Sequence, residues 1–224
     1  MAANQGCNFA NRRGPEGGSK VLARIRGGVS LARDVMKVWR FILVVWLLGG
    51  TLPLGAADAK TEFTDLNGQV RQPLATTGHK ATVFIFTWQT CPVANAYAPE
   101  IERIYQNYKE RGVALFVIQV DPELKPDQAR QHTKEYGYTM PLLHDPKGVL
   151  AKHTGATMTP EAVVLLPDGK RIYNGRIDNR QAALGKRRPK ATVFDLRDTL
   201  DAILAGKELK PRKTEVIGCY IPEE

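Results

Sequence analysis

Residues 80–120 read KATVFIFTWQTCPVANAYAPEIERIYQNYKERGVALFVIQV, and the change of hydrophobic period inside this stretch decides the fold. Lys80 to Trp88 is an unbroken β-branched and aromatic run, which predicts a strand buried on both faces. From Ala94 to Lys109 the apolar positions Ala94, Tyr97, Ala98, Ile101, Ile104, Tyr105 and Tyr108 return at three and four, which predicts a helix that Gly112 stops. Val113 to Val120 is a second buried strand. A strand, a helix and a strand in this order predict a βαβ unit whose two strands run parallel.

Working outward, Pro126 suits a first helical turn, and Gln128 to Tyr136 continues it as a polar surface helix ended by Gly137. Leu142 to His144 predicts a short strand, Gly148 to Thr154 a short helix and Ala162 to Leu166 an apolar strand. Pro167-Asp168-Gly169 is a turn signal, so Arg171 to Ile177 reads as the hairpin partner. A closing helix over Thr192 to Ala205 carries Val193, Leu196, Leu200, Ile203 and Leu204 on one face. The expected architecture is α/β, a central mixed sheet with helices on both faces. The element order is that of the thioredoxin fold with one insertion between its halves.

The chain has 224 residues, and 43% of them are hydrophobic and 25% charged, the profile of one ordinary globular domain. Residues 1–59 carry five of the nine net positive charges. What remains is too small and scattered for a phosphate-binding stripe, so nucleic acid is not an expected partner. From Met36 the chain reads MKVWRFILVVWLLGGTLPLGAADA: two cations, an apolar run and then small residues. This is the pattern of a secretory signal peptide, with cleavage expected near Ala57 or Ala59 and an exported, periplasmic or extracytoplasmic product. Association with a membrane is expected only if that segment stays uncleaved, and the glycines and Pro53 break it short of a full span. Residues 1–35 show no hydrophobic period and read as a non-native or disordered extension, with Met36 as the start. The expected layout is therefore an extension over 1–35, a signal peptide over 36–59, a domain of the thioredoxin fold over 60–206 and a tail over 207–224. Loss of the leading segments removes Cys7 and leaves Cys91 and Cys219, 128 residues apart, in an oxidising compartment.

The strand-to-helix junction at Thr87-Trp88-Gln89-Thr90-Cys91-Pro92 sets Cys91 at a helix N-terminus. There the unpaired N–H groups and the helix dipole favour a thiolate, which makes Cys91 a nucleophile at neutral pH. A buried structural cysteine is the other reading of the same residue.

These residues resemble the thioredoxin-like redoxins, close to the alkyl hydroperoxide reductase and thiol-specific antioxidant (AhpC/TSA) family. The resemblance runs over about residues 62–221 and is carried by TCPVANAYAPEI at 90–101, Thr159-Pro160, GRIDN at 175–179, RRP at 187–189 and GCYI at 218–221. It implies a cis Thr159-Pro160 peptide lying against Cys91, where it offers backbone groups to a substrate chain. The chain departs from the group at two places. Ala94 stands where thioredoxins place a second cysteine, and Trp88 stands where peroxiredoxins place a Thr or Ser that holds peroxide, with Thr87 and Thr90 as flanking stand-ins. Cys219 is then the candidate to resolve an oxidised Cys91 from a flexible tail, against a structural disulfide or a free tail thiol. Arg176 and Asp178 are expected either to shape the charge around the thiolate or to form a surface ion pair.

The four histidines show no ligand spacing and no glycine-rich phosphate loop is present, so neither a metal nor another cofactor is expected. Two functions remain. In the first, Cys91 attacks a peroxide or a disulfide, and Cys219 or an external thiol reductant protein completes the cycle. In the second, the domain has lost turnover and binds an extended peptide beside Pro160.

Overall fold

The computed structural model describes residues 61–222, so the expected signal peptide and extension lie outside the described residues. A small hairpin comes first, β1 (Phe63–Thr64) with β2 (Val70–Arg71). β3 (Ala81–Thr87) then feeds α1 (Pro92–Tyr108), and a turn of 3-10 helix at Lys109–Arg111 returns the chain into β4 (Val113–Gln119). α2 (Pro126–Glu135), β5 (Leu142–His144), α3 (Val149–Thr154), β6 (Met158–Thr159), β7 (Glu161–Leu165) and β8 (Arg171–Gly175) follow. A second small hairpin, β9 (Gln181–Ala183) with β10 (Lys186–Arg187), precedes α4 (Asp195–Leu204), β11 (Arg212–Lys213) and β12 (Cys219–Tyr220).

Six strands form the central sheet in the order β11-β8-β7-β3-β4-β5. β3 pairs in parallel with β4, as the βαβ reading requires, and antiparallel with β7, which makes the sheet mixed. The unbroken apolar run of β3 has a simple cause. Val83 and Ile85 pack with Ile101 and Ile104 of α1 and Leu196 and Leu200 of α4, whereas Phe84 and Phe86 pack with Leu150 and Ala151 of α3. Side chains alternate across a strand, so a layer of helices on each face requires every position to be apolar.

The sequence reading is corrected at the start of the closing helix and in the tail. The closing helix starts at Asp195 rather than Thr192, because the side-chain oxygen of Asn179 accepts the N–H groups of Thr192 and Val193 and holds them in a loop. Val193, expected on the apolar face, is consequently exposed. The stretch over 207–224, expected as a flexible tail, is built into the fold through its described residues: β11 extends the sheet alongside β8, and β12 pairs antiparallel with β6.

Candidate active site

Cys91 is the N-cap of α1, and its own sulfur caps the helix, accepting the Ala94 N–H at 3.5 Å. The local sequence explains this use. Pro92 occupies the first helical position, where a missing N–H costs nothing, and no acidic side chain in the first turn offsets the dipole. The next donors, Val93 and Ala94, are left to the sulfur.

The Thr159–Pro160 peptide is cis, as the resemblance implies, and the Thr159 carbonyl lies 3.4 Å from the Cys91 sulfur. The preceding loop is fixed from inside. Glu161 is buried, and its carboxylate accepts the N–H groups of Thr157 at 2.7 Å and Met158 at 2.8 Å. Glu161→Ala leaves two donors without their charged acceptor and is expected to cost about 1–3 kcal/mol, read as a lower urea midpoint. An unchanged midpoint would show that water replaces the carboxylate at no cost.

Cys219 completes the site. β12 pairs Cys219 with Thr159 and Tyr220 with Met158, and this register brings the Cys219 sulfur to 2.7 Å from that of Cys91. Both are free thiols in this state. The two sulfurs are electrically unequal. Burial pushes the Cys91 thiol up, but hydrogen bonds from Cys219, Thr159 and the Ala94 and Val93 backbone outweigh it and hold the thiol below its ordinary value. Cys219 goes the other way, pushed up to about 11 by burial, by the hydrogen bond it donates to Cys91 and by the charge of that neighbour. The pair therefore loses its first proton from Cys91 and holds its second on Cys219.

The pH dependence follows in sign. Thiolate character at Cys91 is present above its depressed value and falls as pH drops through it, while Cys219 ionises only near pH 11. Ultraviolet thiolate absorbance of the reduced protein should rise in two separated steps, the first below the ordinary thiol range and absent from Cys91→Ser. A single step at about pH 8.5 would contradict the asymmetry.

The remaining predicted residues fall in different places. Thr90 is exposed, and the buried Thr87 hydroxyl is spent on the Ile118 carbonyl at 3.3 Å. The hydroxyl beside the thiol pair is that of Thr159, which reaches the Cys219 carbonyl at 3.4 Å. Arg176 forms an ion pair with Asp195 at 2.7 Å, and Asp195 is shared with Arg212. Of the two roles expected of Arg176, the ion pair is the one seen, and it ties the end of β8 to the start of α4. Asp178 accepts the Tyr97 hydroxyl at 2.6 Å and pairs with Arg180, which links α1 to the loop beyond β8. Sequence reasoning passed over Thr159 as a hydroxyl, Glu161 as the loop anchor and Gly218. The two-residue strand pairing that makes them matter leaves no periodic trace. Among the described residues no group of three or more His, Cys, Asp or Glu is placed to hold a metal ion. Among the same residues no helix is long and apolar enough to cross a membrane.

A helix-capping Cys-Pro at the end of a central strand, facing a cis proline, makes this a thioredoxin-like redoxin. The AhpC/TSA family model matches residues 56–173. That is more than half of the 224 residues, and the chain belongs to the AhpC/TSA family. Cys91 and Pro160 lie inside the matched region and Cys219 beyond it. A hypothetical protein from Sinorhizobium meliloti 1021 superposes with a TM-score of 0.63 at 24% identity, covering 73% of this chain and 91% of its own. An uncharacterized conserved protein from Geobacillus kaustophilus gives 0.62 at 26% identity, with 73% and 88% covered. A putative thioredoxin from Neisseria meningitidis gives 0.51 at 18% identity, with 66% and 89% covered. No curated protein matches the chain.

Proposed function

We propose that this protein is an exported thiol–disulfide oxidoreductase in which Cys91 is the nucleophile and Cys219 the resolving thiol. The observation that carries the reading is the pair itself: two free sulfurs 2.7 Å apart, one held low and one held high in pKa. In reduction, the Cys91 thiolate attacks one sulfur of a substrate disulfide and the other sulfur leaves as a thiolate that takes a proton from water. Cys219 then gives up its proton, attacks the Cys91 sulfur of the mixed disulfide and releases the second substrate thiolate. Two electrons have passed to the substrate, and the protein holds a Cys91–Cys219 disulfide that a thiol reductant protein reopens.

The high pKa of Cys219 does not block the second step. Part of its rise comes from the hydrogen bond to Cys91 and from the charge there, and both go once Cys91 is consumed in a mixed disulfide. Disulfides are favoured over peroxides as substrate because Thr87 is engaged elsewhere, Thr90 faces solvent and a tail cysteine already stands in the position of a leaving sulfur. Export rests on the Met36–Ala59 pattern, and the oxidising compartment it reaches is where such a couple has work to do.

The test is a trap. Cys219→Ser, given one equivalent of a small aromatic disulfide, should release one thiol and keep the other as a stable mixed disulfide on Cys91, while the wild type releases both. Release of both thiols by the variant would assign resolution to another group.

A further inference from the structure

The activated sulfur is covered. Cys91 is 1% exposed, and what lies over it is the tail strand of the same chain. A nucleophile that attacks a protein disulfide has to be uncovered first. The cover is slight: β12 is two residues long, Ile221 adds one N–H bond to the Thr157 carbonyl at 2.9 Å, and Tyr220 is 79% exposed. Ile217, Cys219 and Ile221 are partly buried, but the main-chain hold on this strand is far shorter than that of the central sheet, so it is the part that opens more readily.

The seat itself is a recognition surface. Met158 and Thr159 present a strand edge on which the tail lies antiparallel, the form in which an extended peptide adds to a sheet. Gly218 runs so close to the Thr159 carbonyl that a β-carbon there would collide with it. On the far side of the cysteine, Ile221 and Pro222 reach a cavity of about 370 Å³ whose other walls include Val120, Pro146, Ala151 and Ala156.

Resting on the reading above, we propose that residues 217–221 are an internal stand-in for substrate. The site then acts on extended polypeptide segments in which the cysteine follows a small residue and an apolar residue stands two positions after it. Substrate adds to the Met158–Thr159 edge once the tail lifts, with its cysteine sulfur where that of Cys219 now lies. Cys219 attacks the Cys91 sulfur from the side opposite the substrate sulfur, and the tail reoccupies the edge once the reduced substrate has left. The bonds formed and broken are those already given for the two exchange steps.

The experiment uses the reduced full domain and three probes. One is the peptide Glu-Val-Ile-Gly-Cys-Tyr-Ile-Pro with a thiopyridyl disulfide on its cysteine, the second is the same peptide with valine for glycine, and the third is 2-hydroxyethyl disulfide. Two main-chain bonds at ordinary strength correspond to about 10- to 100-fold in rate. The glycine peptide should release thiopyridone faster than the valine peptide by about that factor. In the protein, Gly218→Val keeps the tail off its edge and should speed reaction with the small disulfide severalfold. Equal rates for the two peptides, with the small disulfide still reacting, would overturn the stand-in and leave the redox function intact. Failure of all three probes would remove the function as well.

Discussion

Cys91→Ser lowers the rate of disulfide reduction by about a thousandfold or more, because a serine hydroxyl at the same helix start stays protonated and cannot attack sulfur. The loss is confined to chemistry. Serine is itself a favoured N-cap, so the α1 terminus keeps a side-chain acceptor for the Ala94 N–H and the fold should hold. The measurement is turnover of a small disulfide with a dithiol reductant, alongside thermal unfolding of the reduced variant. Substantial residual turnover would mean that Cys219, whose thiol is pushed up to about 11, is the real nucleophile. Cys219→Ser separates the roles, since it should retain the first step and lose the second.

The oxidised protein should be far more stable than the reduced one. A bond between Cys91 and Cys219 joins residues 128 apart, and a loop of that size removes about 5 kcal/mol of chain entropy from the unfolded state. Native strain and residual structure in the unfolded chain take back part of this, so the expected gain is about 3–5 kcal/mol. For a domain of this size that corresponds to a rise in Tm of about 10 °C or more. The bond adds to an anchoring that exists without it: β11 lies against β8 and Arg212 pairs with Asp195. Thermal unfolding with and without reductant reads the difference directly, and Cys219→Ser should abolish it. Coincident curves for oxidised and reduced wild type would mean that the bond does not form.

The parts of the fold that were legible in the sequence are those with a repeating cause. β3 is apolar at every position because helices cover both faces of the sheet, and α1 repeats at three and four because only one of its faces meets that sheet. Cys91 was legible for a similar reason: the period changes at the residue that must cap the helix. The start of α4 was not legible, since a carboxamide from Asn179, far away in sequence, sets it. The tail was the largest gap. Its strands are two residues long, too short for any period, and their register comes from β8 and from the edge before Pro160. Cys219 could be named as the second thiol because only two cysteines remain after Cys7. Its seat against Cys91 could not be named, because it depends on the fit of Gly218 against the Thr159 carbonyl. Arg176 was legible as a charge near the Thr159–Pro160 loop, and its partner Asp195 became visible only once α4 was in place.

The account stands on Cys91 and Cys219 acting as one couple within one chain. Wild-type protein equilibrated with oxidised dithiothreitol, blocked, digested without reduction and analysed by mass should yield the Cys91 and Cys219 peptides joined by a disulfide. The intact monomer should be lighter by two hydrogens. Two blocked free thiols after that treatment, or a joined pair found only in covalent dimers, would contradict it.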